Sequence, residues 1–293
     1  MVSVIIPCYK PQYLTLYNTL NSIKNQTHDN IEIIICGDHN SREEQKLIFR
    51  LLTKFNELNI QYTENNTIPG ISATRNQAVS AANGEWIVWL DADDTLEPNC
   101  IEELHKCVVN KSLNYVIGKC NVHTVNSSKL KSSSYFFELY KKYKATEFDP
   151  FMLTIMAIQP QIIKKDIFMN LNGFSLDYPK AELTELMLRY LTNYPSTTIS
   201  FSCNAIYNYK KDTPNSVSKN RIALFNYRRK ALLSYASNNH IEVDDIVYYG
   251  RDLNLDVQLY LPIRNGIILS PPYRENIKID ETEKRNLLNI KDD

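Results

Sequence analysis

Across residues 1–120 the chain alternates short, continuous apolar runs with longer segments whose apolar positions recur every three or four residues. Val2–Ile6 is a β-branched run stopped by Pro7, Ile31–Cys36 is a second run broken only by Glu32, Ile60–Thr63 is shorter, and Glu85–Leu90 ends in acids. Runs this apolar suit strands covered on both faces. Between them, Leu14–Asn25 puts Leu16, Leu20 and Ile23 on one helical face. Ser41–Asn56 repeats Leu47, Leu51 and Phe55 at fourfold spacing, with Ser41 as N-cap before Glu43 and Glu44. Ser72–Ala82 reads as a helix ended by Asn83-Gly84, and Pro98–Asn110 as another. This order predicts an α/β doubly wound fold, a mainly parallel sheet with helices on both faces. Ligands of such sheets bind at the carboxyl ends of strands. That singles out Pro7-Cys8-Tyr9, Gly37-Asp38-His39 and Asp91-Ala92-Asp93-Asp94.

Later the pattern loosens. Tyr135–Lys144 reads as an aromatic, basic helix, Asn172-Gly173 as a turn, Ala181–Asn193 as a helix and Ile199–Tyr209 as one or two strands. A loop over Lys211–Ser218 and a helix over Arg221–Ser237 follow, and the chain past 240 is polar and without clear period. The expected division is a regular first half over 1–122, a variable second part over 123–218, and a helical or irregular extension over 219–293.

Composition narrows the function classes. With 33 Lys+Arg against 33 Asp+Glu, the chain has no net basic charge to favour nucleic acid. Its 43% hydrophobic content sustains a core and excludes wholesale disorder. No apolar run nears the ~18–20 residues that span a bilayer. No basic segment precedes Val2, so a cytoplasmic protein is expected, with peripheral contact to the cytoplasmic membrane face left open. The six cysteines form no C-x-x-C pair, and reduced, mostly buried thiols are expected.

The acids carry the most chemistry. Asp91, Asp93 and Asp94 crowd three carboxylates after a buried strand, where like charges repel unless a cation binds. Magnesium or manganese typically takes one or two carboxylates plus phosphate oxygens. The alternative is an acidic turn at the start of the helix near Pro98. Gly70-Ile71-Ser72-Ala73-Thr74-Arg75-Asn76 opens a helix whose first N–H groups suit an anion, and Arg75 adds a planar fork for phosphate or base. Asp38 follows the second strand, where a carboxylate can accept from a base or ribose; an ordinary turn is the competing reading.

Together these segments resemble family-two glycosyltransferases of the GT-A fold. The opening strand with Pro7-Cys8-Tyr9-Lys10, the Gly70–Asn76 helix signature, and Gly84-Glu85 leading to Asp91-Ala92-Asp93-Asp94 occur in the family's order. Where the family's second strand ends in two acids, this chain has Gly37 and Asp38. The resemblance covers residues 1–105 closely and fades after about 218. It implies an inverting, metal-dependent hexosyl- or N-acetylhexosaminyl-transferase that takes a nucleotide sugar, expected to be UDP-linked, with Mn2+ or Mg2+. The acceptor it implies is a glycan, lipid-linked or peptide group. By resemblance, Pro7 and Tyr9 line the base pocket, Asp38 meets base or ribose, and Arg75 lies by the nucleotide. Asp91 touches the ribose or the metal's outer shell, and Asp93 holds the metal.

Such a displacement needs a base on the acceptor. The family's Glu-Asp pair after a Gly-Phe turn falls here on Glu182-Leu183, after Asn172-Gly173-Phe174. Leu183 replaces the usual base. Three readings stand: Glu182 or Glu185 serves as base from a shifted helix, the acceptor needs little help, or the chain is a non-catalytic nucleotide-sugar-binding partner subunit. Glu182 and Glu185 could equally lie on a solvated helix face. Phe136, Tyr140 and Tyr143 with Lys141, Lys142 and Lys144 are either core or a sugar- or membrane-facing stripe. Arg221, Arg228, Arg229 and Lys230 suit an anionic acceptor or a solvated face, and Lys210 or Lys211 could approach the donor diphosphate.

Overall fold

A computed structural model describes residues 1–124, 127–132, 159–211, 221–249, 259–265 and 267–268. The helix expected over 135–144 and, apart from Lys211, the loop expected over 211–218 lie outside the described residues.

The strands are β1 (Val2–Cys8), β2 (Ile31–Asp38), β3 (Ile60–Asn65), β4 (Trp86–Trp89), β5 (Thr95–Leu96), β6 (Tyr115–Thr124), β7 (Ser127–Ser132), β8 (Gln161–Lys164) and β9 (Ile199–Lys211). They form one sheet in the order β3-β2-β1-β4-β8-β6-β9-β5, with β7 beside β6. The β3-β2-β1-β4 block is parallel. Beyond it the sheet is mixed: β8 runs antiparallel to β4 and β6, and β6 is parallel to β9. The expected boundary at 122 falls inside β6, so both halves share this sheet.

Both faces are covered, as the apolar runs require. Val4, Ile6, Ile33 and Ile35 pack under α1 (Tyr13–Lys24), α2 (Arg42–Lys54) and α4 (Cys100–Asn110). Ile5, Ile34, Ile87 and Trp89 pack under α3 (Ile71–Ala81), α5 (Lys165–Asn170) and α6 (Glu182–Asn193). Register explains the sharing of faces, since Val4 aligns with Ile33 and Ile5 with Ile34. Full burial of one such side chain contributes roughly 1.5–3 kcal/mol. Ser41 caps α2 through a reciprocal capping box with Glu44. Cys8, Cys36, Cys100, Cys107 and Cys120 are free thiols, all but Cys107 buried.

Two local expectations are refined. α3 stops just before Asn83-Gly84, as expected, but the chain leaves it through Ala82 in an extended conformation. Glycine is needed at position 84 because a Cβ would stand 2.3 Å from Ser3 Oγ and 2.8 Å from Ser3 N. The extension past 219 is more regular than its polarity suggested. It holds α7 (Arg221–Asn238) and a three-stranded antiparallel sheet of β10 (Asp245–Tyr249), β11 (Leu259–Arg264) and β12 (Ile267–Ile268). Ala231, Leu232 and Ile246 join Tyr178 and Leu188 in a small core there.

Glu32, the one acid in the β2 apolar run, anchors the turn before β4. Only 4% exposed, it accepts from Ser3 Oγ, from the Asn83 and Gly84 backbone N–H groups and from Asn83 Nδ2. Burial works against its charge, yet the four donors hold the carboxyl below the ordinary glutamate range. A depressed folded-state value means the stabilisation is present at neutral pH and lost as pH falls through and below the glutamate range. Glu32→Ala should therefore cost roughly 3 kcal/mol in urea melts at pH 7, since it strands several buried donors. Between pH 5 and 3 its stability should fall less steeply than that of the native protein.

Candidate active site

The carboxyl ends of β1 to β4 bring Tyr9, Asp38, Asn65 and Asp91 to one edge of the sheet. Tyr9 is 60% exposed, and the Lys10 ammonium lies 5.0 Å from its ring centroid. The turn that carries them is braced from β2. Asn40 Nδ2 donates to the Cys8 carbonyl at 2.9 Å, and Asn40 Oδ1 accepts from Lys10 N–H at 3.3 Å. Glu64 on β3 accepts the Asn40 N–H at 2.8 Å and the Tyr62 hydroxyl. A side chain at position 37 would have to displace this pair, since a Cβ on Gly37 would meet Glu64 Oε2 and the Tyr62 hydroxyl.

Asp38 is buried at 8% exposure. It accepts Gly70 N–H at 3.0 Å and Asn65 Nδ2 at 3.2 Å. Asn65 also reaches the Ile68 carbonyl and accepts from Thr67. Asp38 thus fixes the approach to α3, where Gly70 adopts φ +135°, a conformation open to glycine.

Arg75 is the largest charged group in the interior, 1% exposed. Its Nη2 donates to Asp91 Oδ1 at 2.8 Å and its Nη1 to Glu182 Oε1 at 2.7 Å, while its guanidinium lies 5.5 Å from the Phe174 ring centroid. Burial opposes the charge; Asp91 and then Glu182 more than restore it, so the group stays cationic. The fork expected to meet phosphate or base is occupied by two carboxylates, and its buried Nε has no partner. One residue on, Asn76 clamps the Asn172-Gly173-Phe174 turn, donating to the Phe174 carbonyl at 2.9 Å and accepting its N–H at 2.8 Å. The helix signature and the Gly-Phe turn, separated by about a hundred residues in sequence, meet here.

The acidic turn is pinned from two sides. Thr19 Oγ1 donates to the Ala92 carbonyl at 3.0 Å and the Asp94 carbonyl at 2.8 Å. Asp94 points inward at 1% exposure and accepts the Tyr207 hydroxyl at 2.6 Å and Lys210 N–H at 2.8 Å. The Tyr207 oxygen in turn accepts Asp91 N–H at 3.3 Å. Burial, and then the charges of Asp91 and Asp93, push the Asp94 carboxyl up to about 8. A cation beside the turn would remove that repulsion. Among the described residues no three His, Cys, Asp or Glu side chains converge as a metal cage. A hard divalent ion typically takes one or two carboxylates together with phosphate oxygens, a ligand set that the carboxylates of this turn could begin.

Neither expected base lies on a solvated face. Glu182 is 14% exposed and bound to Arg75; Glu185 is 13% exposed and held at both oxygens by Arg189, at 2.7 and 2.6 Å. Leu183 is half-buried against the α3–α6 side of the core. Of the basic residues on α7, Arg229 pairs with Asp245 at 2.6 Å, and Lys230 lies 4.6 Å from the Tyr178 ring centroid. Sequence reasoning missed Tyr207, Asn65 and Glu64. Tyr207 was signalled only by the alternation of Ala205, Tyr207 and Tyr209 along β9, and the other two by their place at the carboxyl end of β3.

Residues 3–170 match the Glycosyl transferase family 2 model, more than half the sequence. The chain belongs to that family. It is 31% identical over 119 residues to Glycosyltransferase GlyG of Streptococcus pneumoniae serotype 4, covering 40% of this chain and 38% of the relative. It is 28% identical over 127 residues to the UDP-Glc:alpha-D-GlcNAc-diphosphoundecaprenol beta-1,3-glucosyltransferase WfgD of Escherichia coli, covering 43% of this chain and 48% of the relative. The chain thus spans less than half the length of either. In three dimensions it resembles S. aureus TarS in complex with UDP-GlcNAc, with TM-score 0.63 and 16% identity over 82% of this chain and 70% of that one. It also resembles the mannosyltransferase PcManGT from Pyrobaculum calidifontis in complex with GDP-Man and Mn2+, with TM-score 0.58 and 15% identity over 83% and 65% of the two chains. These likenesses establish the GT-A-type fold.

Removing one member of a buried ion pair strands the other. Arg75→Met should cost about 3–5 kcal/mol in equilibrium unfolding. The Arg75→Met, Glu182→Met double variant should cost less than the sum of the singles, with a coupling of at least ~1 kcal/mol.

Proposed function

We propose that the chain transfers a sugar with inversion from a nucleoside-diphosphate sugar, UDP-linked, to an acceptor held on the α6–α7 side. The observation that carries this reading is the acidic turn, fixed at the carboxyl edge of the parallel strands beside the buried Arg75. Asp93 would hold Mn2+ or Mg2+ together with the donor diphosphate. When bound, the ion supplies a positive field for the charge that develops on the leaving nucleoside diphosphate. The chain's own groups do the rest. Tyr9 offers an exposed ring to the base, Asp38 holds the entry to α3, and Arg75 orients Asp91.

The chemistry stated for the relatives supports the donor and acceptor classes. WfgD is described as using UDP-Glc on a diphosphoundecaprenol-linked GlcNAc, and TarS and PcManGT were solved with UDP-GlcNAc and with GDP-Man plus Mn2+. A lipid-linked acceptor would bring the protein to a membrane face peripherally. Among the described residues no helix is long and apolar enough to cross a membrane. A second reading, a nucleotide-sugar-binding partner subunit without its own transfer activity, is favoured by Leu183 and by the two ion-paired glutamates beside it.

The first test is a thermal-shift panel of UDP, GDP, CMP and dTDP sugars, with and without Mn2+. A ligand at ~100 times its Kd adds ~2.7 kcal/mol of stability. The expected result is a UDP-selective, metal-dependent shift that disappears in Asp93→Ala. Product formed with a supplied acceptor, and abolished by the same substitution, would remove the partner-subunit reading.

A further inference from the structure

The outer face of α1 and α2 departs from the charge balance of the chain. Lys+Arg and Asp+Glu both number 33 overall, yet α2 carries Arg42, Lys46, Arg50 and Lys54, a cation at every fourth residue. At 1.5 Å per residue the row runs about 18 Å along the helix. All of these side chains are exposed, and among the described residues none of them has an ion-pair partner. Like charges four residues apart disfavour a helix, and an acid at position 46 or 50 would have favoured it. The row thus breaks a local rule on a helix that is otherwise well specified by its capping box. Beside it, α1 carries no acidic residue, and its Tyr13 and Tyr17 rings stack at 6.4 Å. The Arg50 guanidinium lies 5.4 Å from the Tyr13 ring centroid, and the Lys54 ammonium 4.6 Å from that of Tyr17. Leu14 on α1 and Phe49 on α2 are large apolar side chains left exposed. Of the nearby acids, Glu43 is exposed, Glu44 accepts the Ser41 N–H, and Glu57 pairs with Lys24.

We propose that this α1–α2 face docks on an anionic lipid bilayer. The unpaired cations meet headgroup phosphates, which supply the counter-charge that the chain itself withholds. The Arg50 and Lys54 stems lie along tyrosine rings and carry their charged heads outward, and tyrosine suits the boundary between headgroups and water. Leu14 and Phe49 gain by entering the apolar side of that boundary, a gain that a soluble polyanion cannot offer. The apolar face of α2 is committed to the core through Ile48 and Leu51, so the helix rests on the surface rather than inserting. Contact of this kind is reversible and follows lipid charge and ionic strength. The inference does not depend on the transferase reading, since neither nucleotide nor acceptor takes part in the contact. Arg42 opens α2 soon after Asp38 ends β2, so the row starts at the carboxyl edge of the sheet. Docking would set that edge beside the lipid.

The test is co-sedimentation of the full chain with phosphatidylcholine vesicles containing about a third phosphatidylglycerol, against vesicles of phosphatidylcholine alone. Binding should favour the anionic vesicles and weaken as added salt shortens the screening length. A Lys or Arg near such a surface is worth about a fivefold change in partitioning, so the Lys46→Gln, Arg50→Gln double variant should bind roughly 25-fold more weakly. Its thermal midpoint should be unchanged or higher, because the substitutions relieve like-charge pairs. Leu14→Ser, Phe49→Ser should weaken binding by about tenfold at unchanged charge. Equal binding to neutral and anionic vesicles, or binding to neither, overturns the inference. So does binding untouched by Lys46→Gln, Arg50→Gln, or a loss confined to Arg228→Gln, Lys230→Gln, which would place the contact on α7. Binding that is lost in Lys46→Gln, Arg50→Gln, indifferent to Leu14→Ser, Phe49→Ser and displaced by polyphosphate overturns it in favour of a soluble polyanion.

Discussion

A guanidinium with almost no contact with water needs its counter-charges within hydrogen-bond reach, and that requirement at Arg75 organises the site. Its two partners come from different parts of the chain, Asp91 after β4 and Glu182 at the first residue of α6. Meeting both at 2.7–2.8 Å fixes the distance between the acidic turn and the start of α6. Asn76, one residue on, sets the Gly-Phe turn that feeds α6 by exchanging two hydrogen bonds with Phe174. α3 thereby acts as the spacer between the carboxyl edge of the parallel strands and α6. Its own start is held by Asp38 and Asn65, so the chain of positions runs from the ends of β2 and β3 through α3 to α6.

The acidic turn has a second anchor of opposite character. Arg75 holds Asp91 by charge, whereas Tyr207 and the Lys210 backbone hold Asp94 by neutral donors in a buried place. With burial and two neighbouring carboxylates raising its proton affinity, Asp94 acts as a tether between the turn and β9. Asp91 and Asp93, less buried than Asp94, are the members left facing the sheet edge. Because β9 belongs to the later half of the chain, the turn is held jointly by the first half, through Thr19 and Arg75, and by the second, through Tyr207 and Lys210.

Much of this was legible in the sequence. The two-sided apolar runs gave the parallel block, the Ser41 cap and fourfold leucines gave α2, and the order of motifs identified the family. What was not legible were contacts whose partners are far apart in the chain. Nothing local marks Tyr207 as the partner of Asp94, since a tyrosine in a strand usually reports only a half-buried face. Gly37 looked like a lost acid, and only the β2–β3 register shows that Glu64 fills the space. Asn83-Gly84 carried the residue signature of a helix stop, but the glycine answers to Ser3 on β1, a tertiary demand that no local rule contains. The strands of the extension were missed because their polar surroundings hid any period.

The glutamates of α6 show why residue type at a motif position underdetermines chemistry. The family resemblance placed Glu182 and Glu185 beside the missing base and made either a substitute. The structure gives each a guanidinium, and the two pairs do different things. Glu185 and Arg189 lie one turn apart on the same helix, and Arg189 also reaches the Leu171 carbonyl, so that pair ties α6 to the end of α5. Glu182 reaches across to α3. Both carboxylates are thus committed to holding geometry. A site rigid by such pairs is well suited to orient a nucleophile, and poorly suited to take its proton, because the carboxylate that moves a proton must give up the contact that positions it. The replacement of aspartate by Leu183 is consistent with that division. Neither α6 glutamate can take a proton without giving up the guanidinium that holds it in place.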